Sequence, residues 1–332
     1  MIEAKYKAKY EELHPLYSRL ANNLCEALNE FLKAKNIGIL KIDSRIKDFD
    51  TFIEKIKRKG YNDPFEQTED LCGIRIICFY QSDIAIISEI IKSEFEIIEN
   101  QDKEVLLNSD QFGYRSHHFI IRIHDSWLVA PNYRGLENLK VEIQVRTILM
   151  HAWAEIQHKL AYKKEYQIES GLKRKFSRLS AKLEDADEEF EELRMLSKNY
   201  RENLIADQKE KGDTFQNLKS LDLDSLQAFL DYHFPDRKRD KSSTSELLDE
   251  LLEVGMTFKN LNELLDSAKN FVTDVMELEE NANYTQTGVI RGALYLLNDK
   301  YWTYYKTKVI KSHPSWVNTT ENWRQKFKNN NT

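Results

Sequence analysis

At 332 residues the chain is long enough for about two domains, each with its own buried core, and a single small module is excluded. Apolar residues make up 41% and charged residues 31%, with only 10 Gly and 5 Pro, which excludes a disordered or fibrous chain and favours long helices. The formal net charge is −6, so any phosphate-bearing ligand must be met by a local basic cluster and not by the global field.

Cys25, Cys72 and Cys78 are odd in number and lack CxxC spacing, so neither a disulfide framework nor a zinc site is expected. The opening MIEAKYKAKYEELHPL has no apolar run of the signal-peptide kind, and no later stretch approaches the ~18 apolar residues of a membrane span. A soluble, cytoplasmic protein without a membrane partner is the expectation.

In chain order, residues 1 to about 36 read as a helix, because Leu13, Tyr17, Leu20, Leu24, Leu28 and Phe31 recur at three- and four-residue steps. From Ile42 to about Lys163 strands and helices alternate. SRIKDFDTFIEKIKRKG reads as a lysine-rich helix ended by Gly60. LCGIRIICFY reads as a buried strand and SDIAIISEIIKSEF as a helix opened by Ser82 or Asp83. SHHFIIRI reads as a strand, and VEIQVR as a strand running into a helix that starts after Thr147.

Beyond Lys164 the pattern is almost wholly helical, with Leu172, Phe176, Leu179, Leu183 and Phe190 forming one stripe. ADQKEKGD and FPDRKRDKSSTSE read as polar connectors, the second ending in Ser243 with Glu246 three residues on, a capping-box pattern. The expected class is α+β: a mixed β-sheet flanked by helices over residues 1–206, then a mainly helical domain over 207–332.

Four segments carry chemistry. In VEIQVR, Glu142, Gln144 and Arg146 share one strand face opposite Val141, Ile143 and Val145, a face that meets solvent or lines a polar cleft. In EDLCGIRII, Asp70 stands just ahead of a strand, where it can cap a turn or offer a hard oxygen to Mg²⁺; Arg75 inside that strand requires a partner. The helix bearing Arg45, Lys47, Lys55, Lys57, Arg58 and Lys59 is a basic patch in an acidic chain, suited to phosphate or simply solvated. In GYRSHHFII, Tyr114, Ser116 and His118 share a face, where a ring and an imidazole can stack on a base and meet a phosphate or pack in a core.

Taken together, SRIKxxxxxxEKIKRKG, DLCGIRII, GYRSHH and EIQVRTILMHAWAEIQHKLAYK resemble, in order and spacing, the synthetase domain of the RelA/SpoT family of alarmone synthetases, over about Ile42 to Lys163. The resemblance implies a nucleotidyltransferase-like fold and a pyrophosphate transfer from ATP. Arg45 and Arg75 would sandwich the adenine, while Lys47 and Lys55, helped by Lys57 or Arg58, would hold the triphosphate. Asp70 and Glu142 would hold Mg²⁺, and Glu142 would take the proton of the attacking 3′-hydroxyl. Tyr114 would stack on the acceptor base, His118 would approach the acceptor phosphates, and Gln144 and Arg146 would support this shell. His151, Glu155 and His158 belong to the same signature; their one-face spacing also permits a metal, without the HExxH order of a zinc site.

The implied acceptor is GDP or GTP, giving (p)ppGpp; the alternative is the 3′ CCA end of tRNA, as in toxic, toxin–antitoxin relatives. Many guanosine tetraphosphate synthetases carry a Lys shortly before the GY pair, whereas Asp110 stands here, a carboxylate that repels a diphosphate by about 1 kcal/mol. No counterpart of the family's hydrolase half is present, so alarmone hydrolysis is not expected. Homo-oligomerisation and a protein activator acting on the C-terminal domain stay open. Tyr301 and Tyr304, in YWTYYKTKVIKSHPSW, resemble the inhibitory tyrosine pair of fused toxin–antitoxin members and equally suit the core of an aromatic helix.

Overall fold

Alternation of apolar and polar residues builds five strands into one mixed sheet in the order β1-β2-β5-β4-β3. These are β1 (Ile39–Ile46), β2 (Cys72–Cys78), β3 (Glu96–Asp102), β4 (His117–Arg122) and β5 (Val141–Thr147). β2 and β5 run parallel, and every other neighbouring pair is antiparallel. The computed structural model describes residues 2–102, 116–160, 170–278 and 285–330. The described chain divides into two compact units, residues 1–193 and 194–332.

In the first unit the apolar face of the sheet forms the core. Cys72, Ile74 and Ile76 of β2, Phe119 and Ile121 of β4, and Val141, Ile143 and Val145 of β5 are all essentially inaccessible. Helix α1 (Ile2–Ala34) packs on this face through Tyr17, Leu20, Leu24 and Leu28, the stripe expected from its spacing. Helix α2 (Phe49–Lys59) buries Phe52, Ile53 and Ile56; Asp48 caps its start by accepting from the Thr51 amide at 2.8 Å. Gly60 ends it in the left-handed region, φ 67°, a conformation that favours glycine.

Helix α3 (Pro64–Gln67) is a single turn leading into β2. Helix α4 (Gln81–Glu94) starts ahead of the expected Ser82 and Asp83, and its N-cap residue, Tyr80, makes no side-chain cap. The cap comes from far along the chain: the Ser82 amide donates to Glu191 at 3.0 Å. A carboxylate at a helix amino end satisfies a free N–H and meets the positive end of the dipole. Helix α5 (Ile148–Leu160) follows β5 directly, as expected, with the Thr147 hydroxyl accepting from the Met150 amide. The buried Thr147 hydroxyl also donates to the buried Asp187 carboxylate at 2.5 Å.

Asp187 and Glu191 belong to helix α6 (Ser170–Lys211), which runs through the expected connector ADQKEKGD and stops at Gly212, φ 79°. Leu179 and Phe190 of its apolar stripe are exposed, not core.

The second unit is helical: α7 (Leu223–His233), α8 (Lys241–Glu253), α9 (Phe258–Leu278), α10 (Gln286–Leu297), α11 (Asp299–Val309) and α12 (Pro314–Asn330). Helix α8 is capped by Asp240, whose carboxylate accepts from the Ser243 amide at 3.1 Å; the expected Ser243–Glu246 box is replaced by a cap three residues earlier. The aromatic run of α11 is core here. Tyr301 is fully buried, stacks with Tyr305 and donates its hydroxyl to Glu250, which also receives Arg291 bidentately at 3.0 and 3.1 Å. Burial is the main reason the Tyr301 hydroxyl is pushed far above its ordinary pKa.

Among the described residues no helix is long and apolar enough to cross a membrane. Burial pushes the Cys72 and Cys78 thiols up to about 12, leaving them without thiolate character.

Replacing Thr147 by Val keeps the shape of the side chain and removes a hydroxyl from the buried Asp187. Urea unfolding should show a loss of about 1–3 kcal/mol; an unchanged midpoint would mean that this bond contributes nothing to the first unit.

Candidate active site

The sheet's second face is where the ionisable residues collect. Two rows cross it by strand register. One reads Arg45, Gly73, Glu142 and Ile120; the next reads Asp43, Arg75, Gln144 and His118. Strand alternation alone puts these side chains opposite the core. They open into one pocket lined by Asp43, Ser44, Arg45, Lys47, Asp70, Gly73, Ile74, Arg75, Glu142 and Gln144.

The basic wall comes from the loop after β1 and from α2. The Lys47 backbone is pinned twice: its amide donates to Leu71 O at 2.9 Å, and the Tyr10 hydroxyl of α1 donates to its carbonyl at 2.7 Å. The Lys47 and Lys55 ammonium groups converge on Asp70, at 3.0 Å to Oδ2 and 2.8 Å to Oδ1. Burial pushes the Asp70 carboxyl up, but the hydrogen bonds and charges of Lys55 and Lys47 outweigh it and hold Asp70 below its ordinary range. Lys57 and Arg58 are exposed on the same helix.

Arg45 is largely exposed, 63% by side chain, with Asp48 at 3.7 Å. Arg75, whose place in an apolar strand demanded a partner, donates to Glu155 Oε1 of α5 at 2.9 Å. Arg45 thus keeps its guanidinium plane open, while Arg75 is steered by a carboxylate. His151, one turn before Glu155, has its pKa lowered chiefly by burial.

On β5 a chain of hydrogen bonds runs along the polar face. Arg146 donates to Gln144 Oε1 at 2.6 Å, Gln144 donates to Glu142 Oε2 at 2.9 Å, and Glu142 Oε1 meets His118 Nδ1 at 2.8 Å. Burial raises the Glu142 carboxyl; the His118 hydrogen bond, with that of the Gln144 amide, brings it below the ordinary range. Burial, then the neighbouring Arg75, lowers the pKa of Arg146.

Of the residues singled out in the sequence, Arg45, Lys47, Asp70, Arg75, Glu142 and Gln144 line one pocket, Lys55 reaches it through Asp70, and His118 and Arg146 flank it through Glu142 and Gln144. Tyr114, Asp110 and the side chain of His158 lie outside the described residues. Sequence reading passed over Asp43, Ser44 and Gly73 as pocket residues, and Glu155 as the partner of Arg75. Gly73 carries no pattern signal, yet its bare backbone between Arg45 and Glu142 keeps the pocket floor open.

A family model described as a region found in RelA/SpoT proteins matches residues 44–167. The GTP pyrophosphokinase YjbM of Bacillus subtilis is 31% identical over 156 residues, covering 46% of this chain and 71% of that relative. The chain belongs to the RelA/SpoT family. It is an enzyme of pyrophosphokinase type. A second relative, the GTP pyrophosphokinase YwaC of the same organism, is 34% identical over 124 residues, 36% of this chain and 57% of that relative. The crystal structure of the small alarmone synthetase 1 from Bacillus subtilis is 27% identical, with a TM-score of 0.49, and covers 57% of this chain and 98% of that one.

The magnesium expected for a RelA/SpoT site suits the residues present. Asp70 and Glu142 are hard oxygen donors lining one pocket, and the Asp70 charge works against ionisation of Glu142, a repulsion that a divalent cation relieves. Among the described residues no group of three or more His, Cys, Asp or Glu is placed to cage a metal. Mg²⁺ needs no such cage, because one or two carboxylates and substrate phosphates suffice.

The charge balance at Asp70 is testable. In the Lys47→Met/Lys55→Met variant only burial remains, so the Asp70 carboxyl should titrate above the ordinary 3.8 instead of below it. With both lysines, Asp70 adds stability that is present above the unfolded value and lost as pH falls through the depressed folded value. Without them the sign reverses. Carbon-13 carboxyl titration reads the change directly, and an unmoved Asp70 would show that the lysines do not set its charge.

Proposed function

We propose that this enzyme transfers the β,γ-pyrophosphate of ATP to the ribose 3′-hydroxyl of GDP or GTP, yielding (p)ppGpp and AMP. The observation that carries this reading is a single pocket lined by Lys47, two arginines and three carboxylates, with Lys55 reaching it through Asp70. Arg45 offers an open guanidinium face to a base, and Arg75 a second one steered by Glu155. Lys47 and Lys55 exchange Asp70 for phosphate oxygens as the triphosphate arrives, which keeps their charges neutralised throughout.

The acceptor oxygen then bonds to the β-phosphorus as the bridging bond to AMP breaks, and the hydroxyl proton passes to Glu142. Glu142 is ionised and fixed from both sides by His118 and Gln144, as a base for this step requires. When bound at Asp70 and Glu142, Mg²⁺ supplies charge neutralisation at the transferring phosphates. Tyr114 stacks on the acceptor base, and Gln144 and Arg146 hold the Glu142 side of the pocket.

A second acceptor is favoured by one feature, Asp110 four residues before Tyr114, where a carboxylate opposes a free diphosphate. The 3′-adenosine of a tRNA CCA end offers the same hydroxyl without a 5′-diphosphate. Both readings use the same donor machinery, in a reaction that would arrest translation in the tRNA case.

One labelling experiment decides the acceptor. With γ-labelled ATP, Mg²⁺, GDP, GTP and bulk tRNA, label should appear in ppGpp or pppGpp; label in tRNA alone would select the second acceptor, and label in none would overturn the transfer. Glu142→Gln should lower transfer by about 10²–10⁴-fold while ATP affinity stays within a few-fold. A fully active variant would remove Glu142 from its assigned role.

A further inference from the structure

Resting on that role for Glu142, we propose that Ser116 and His118 form a two-bond strut whose task is to orient Glu142, so both are positioning residues and neither is an acceptor ligand. Ser116 Oγ lies 2.5 Å from His118 Nε2, and His118 Nδ1 lies 2.8 Å from Glu142 Oε1. The imidazole is buried, 8% exposed by side chain, with both ring nitrogens engaged, so neither is turned toward an incoming phosphate.

The direction of each bond follows from donor and acceptor chemistry. An ionised carboxylate only accepts, so Nδ1 carries the hydrogen given to Glu142. In a neutral ring protonated there, Nε2 is the acceptor, and the Ser116 hydroxyl donates to it. Ser116 therefore selects the tautomer that can bind Glu142; the other tautomer would set a nitrogen lone pair against a carboxylate oxygen. Gln144 clamps the second carboxylate oxygen, so the plane of Glu142 is fixed from two sides.

Register explains why these three residues meet. His118 pairs with Gln144 across β4 and β5, and Glu142 lies two residues before Gln144 on the same face. Ser116 lies two residues before His118, at the entry to β4. The arrangement is a serine, a histidine and a carboxylate in line, but the serine lies at the far end from the pocket residue, so the strut works toward the carboxylate and not toward a nucleophilic hydroxyl.

Nitrogen-15 labelling of the histidines reads the tautomer without reference to activity. His118 should show a protonated-type Nδ1 and an acceptor-type Nε2, and Ser116→Ala should mix the tautomers; Ser116→Thr, which keeps the hydroxyl, should restore the single form. In steady state, Ser116→Ala should lower kcat about tenfold, the scale of one oriented hydrogen bond, with KM for ATP within about twofold. An Nε2-protonated or doubly protonated ring in the native protein, or a tautomer unaffected by Ser116→Ala, would overturn the strut. A shifted tautomer with unchanged kcat would overturn its positioning role. Because the tautomer is read from the protein alone, failure of the transfer assay and failure of the strut are distinguishable.

Discussion

The parallel pairing of β2 with β5 is the constraint on which the rest of the site depends. Because Gly73 faces Glu142 and Arg75 faces Gln144, a single register places the ionisable residues of both strands on one surface. The same register drives Ile74, Ile76, Ile143 and Val145 into the core beneath it. A slip of one residue would exchange the two sets, burying charges and exposing isoleucines. The apolar face thus fixes the geometry of the polar one, and the hydrophobic effect, which has no direction of its own, positions groups that do.

Charges gathered in this way must be compensated within the free protein. Three of them are: two lysines hold Asp70, Glu155 holds Arg75, and His118 and Gln144 hold Glu142, whereas Arg146 donates to the neutral Gln144 amide and its buried Nε has no hydrogen-bond partner. Burial would otherwise neutralise the carboxylates, and the depressed pKa of both shows that the partners prevail. Lys47 and Gln144 among these partners also line the pocket, so an anionic group entering it would meet charges that are already balanced.

Much of this was legible in the sequence, and the parts that were not have physical reasons. VEIQVR and LCGIRIIC announce their strands because each buries an apolar set. The edge strands β1 and β3 were missed: ILKIDSRI and EIIENQD carry polar residues on open edges, where alternation fades. The Ser243 cap failed because the helix is already capped at Asp240, which accepts from the Ser243 amide, and the Ser243 hydroxyl is engaged by Thr287 and Arg291 instead. Glu155 as the partner of Arg75 depends on how α5 leaves β5, which local pattern does not encode. Of the two roles open to Tyr301 in the sequence, its burial against Glu250 fits the core of an aromatic helix, a partner far along the chain that no local pattern displays.

The distant partners of Thr147 and Ser82 bear on how the first unit is made. All five strands exist once the ribosome has passed Thr147, yet Asp187 follows 40 positions later, and Glu191 stands 109 positions beyond the amide it caps. A nascent chain halted between Thr147 and Asp187 holds a finished set of strands with a raw helix end and an unanswered hydroxyl. Folding of the catalytic unit is therefore completed by a segment of α6 that contributes nothing to the pocket, and closure waits on a long-range encounter instead of on the local hairpins.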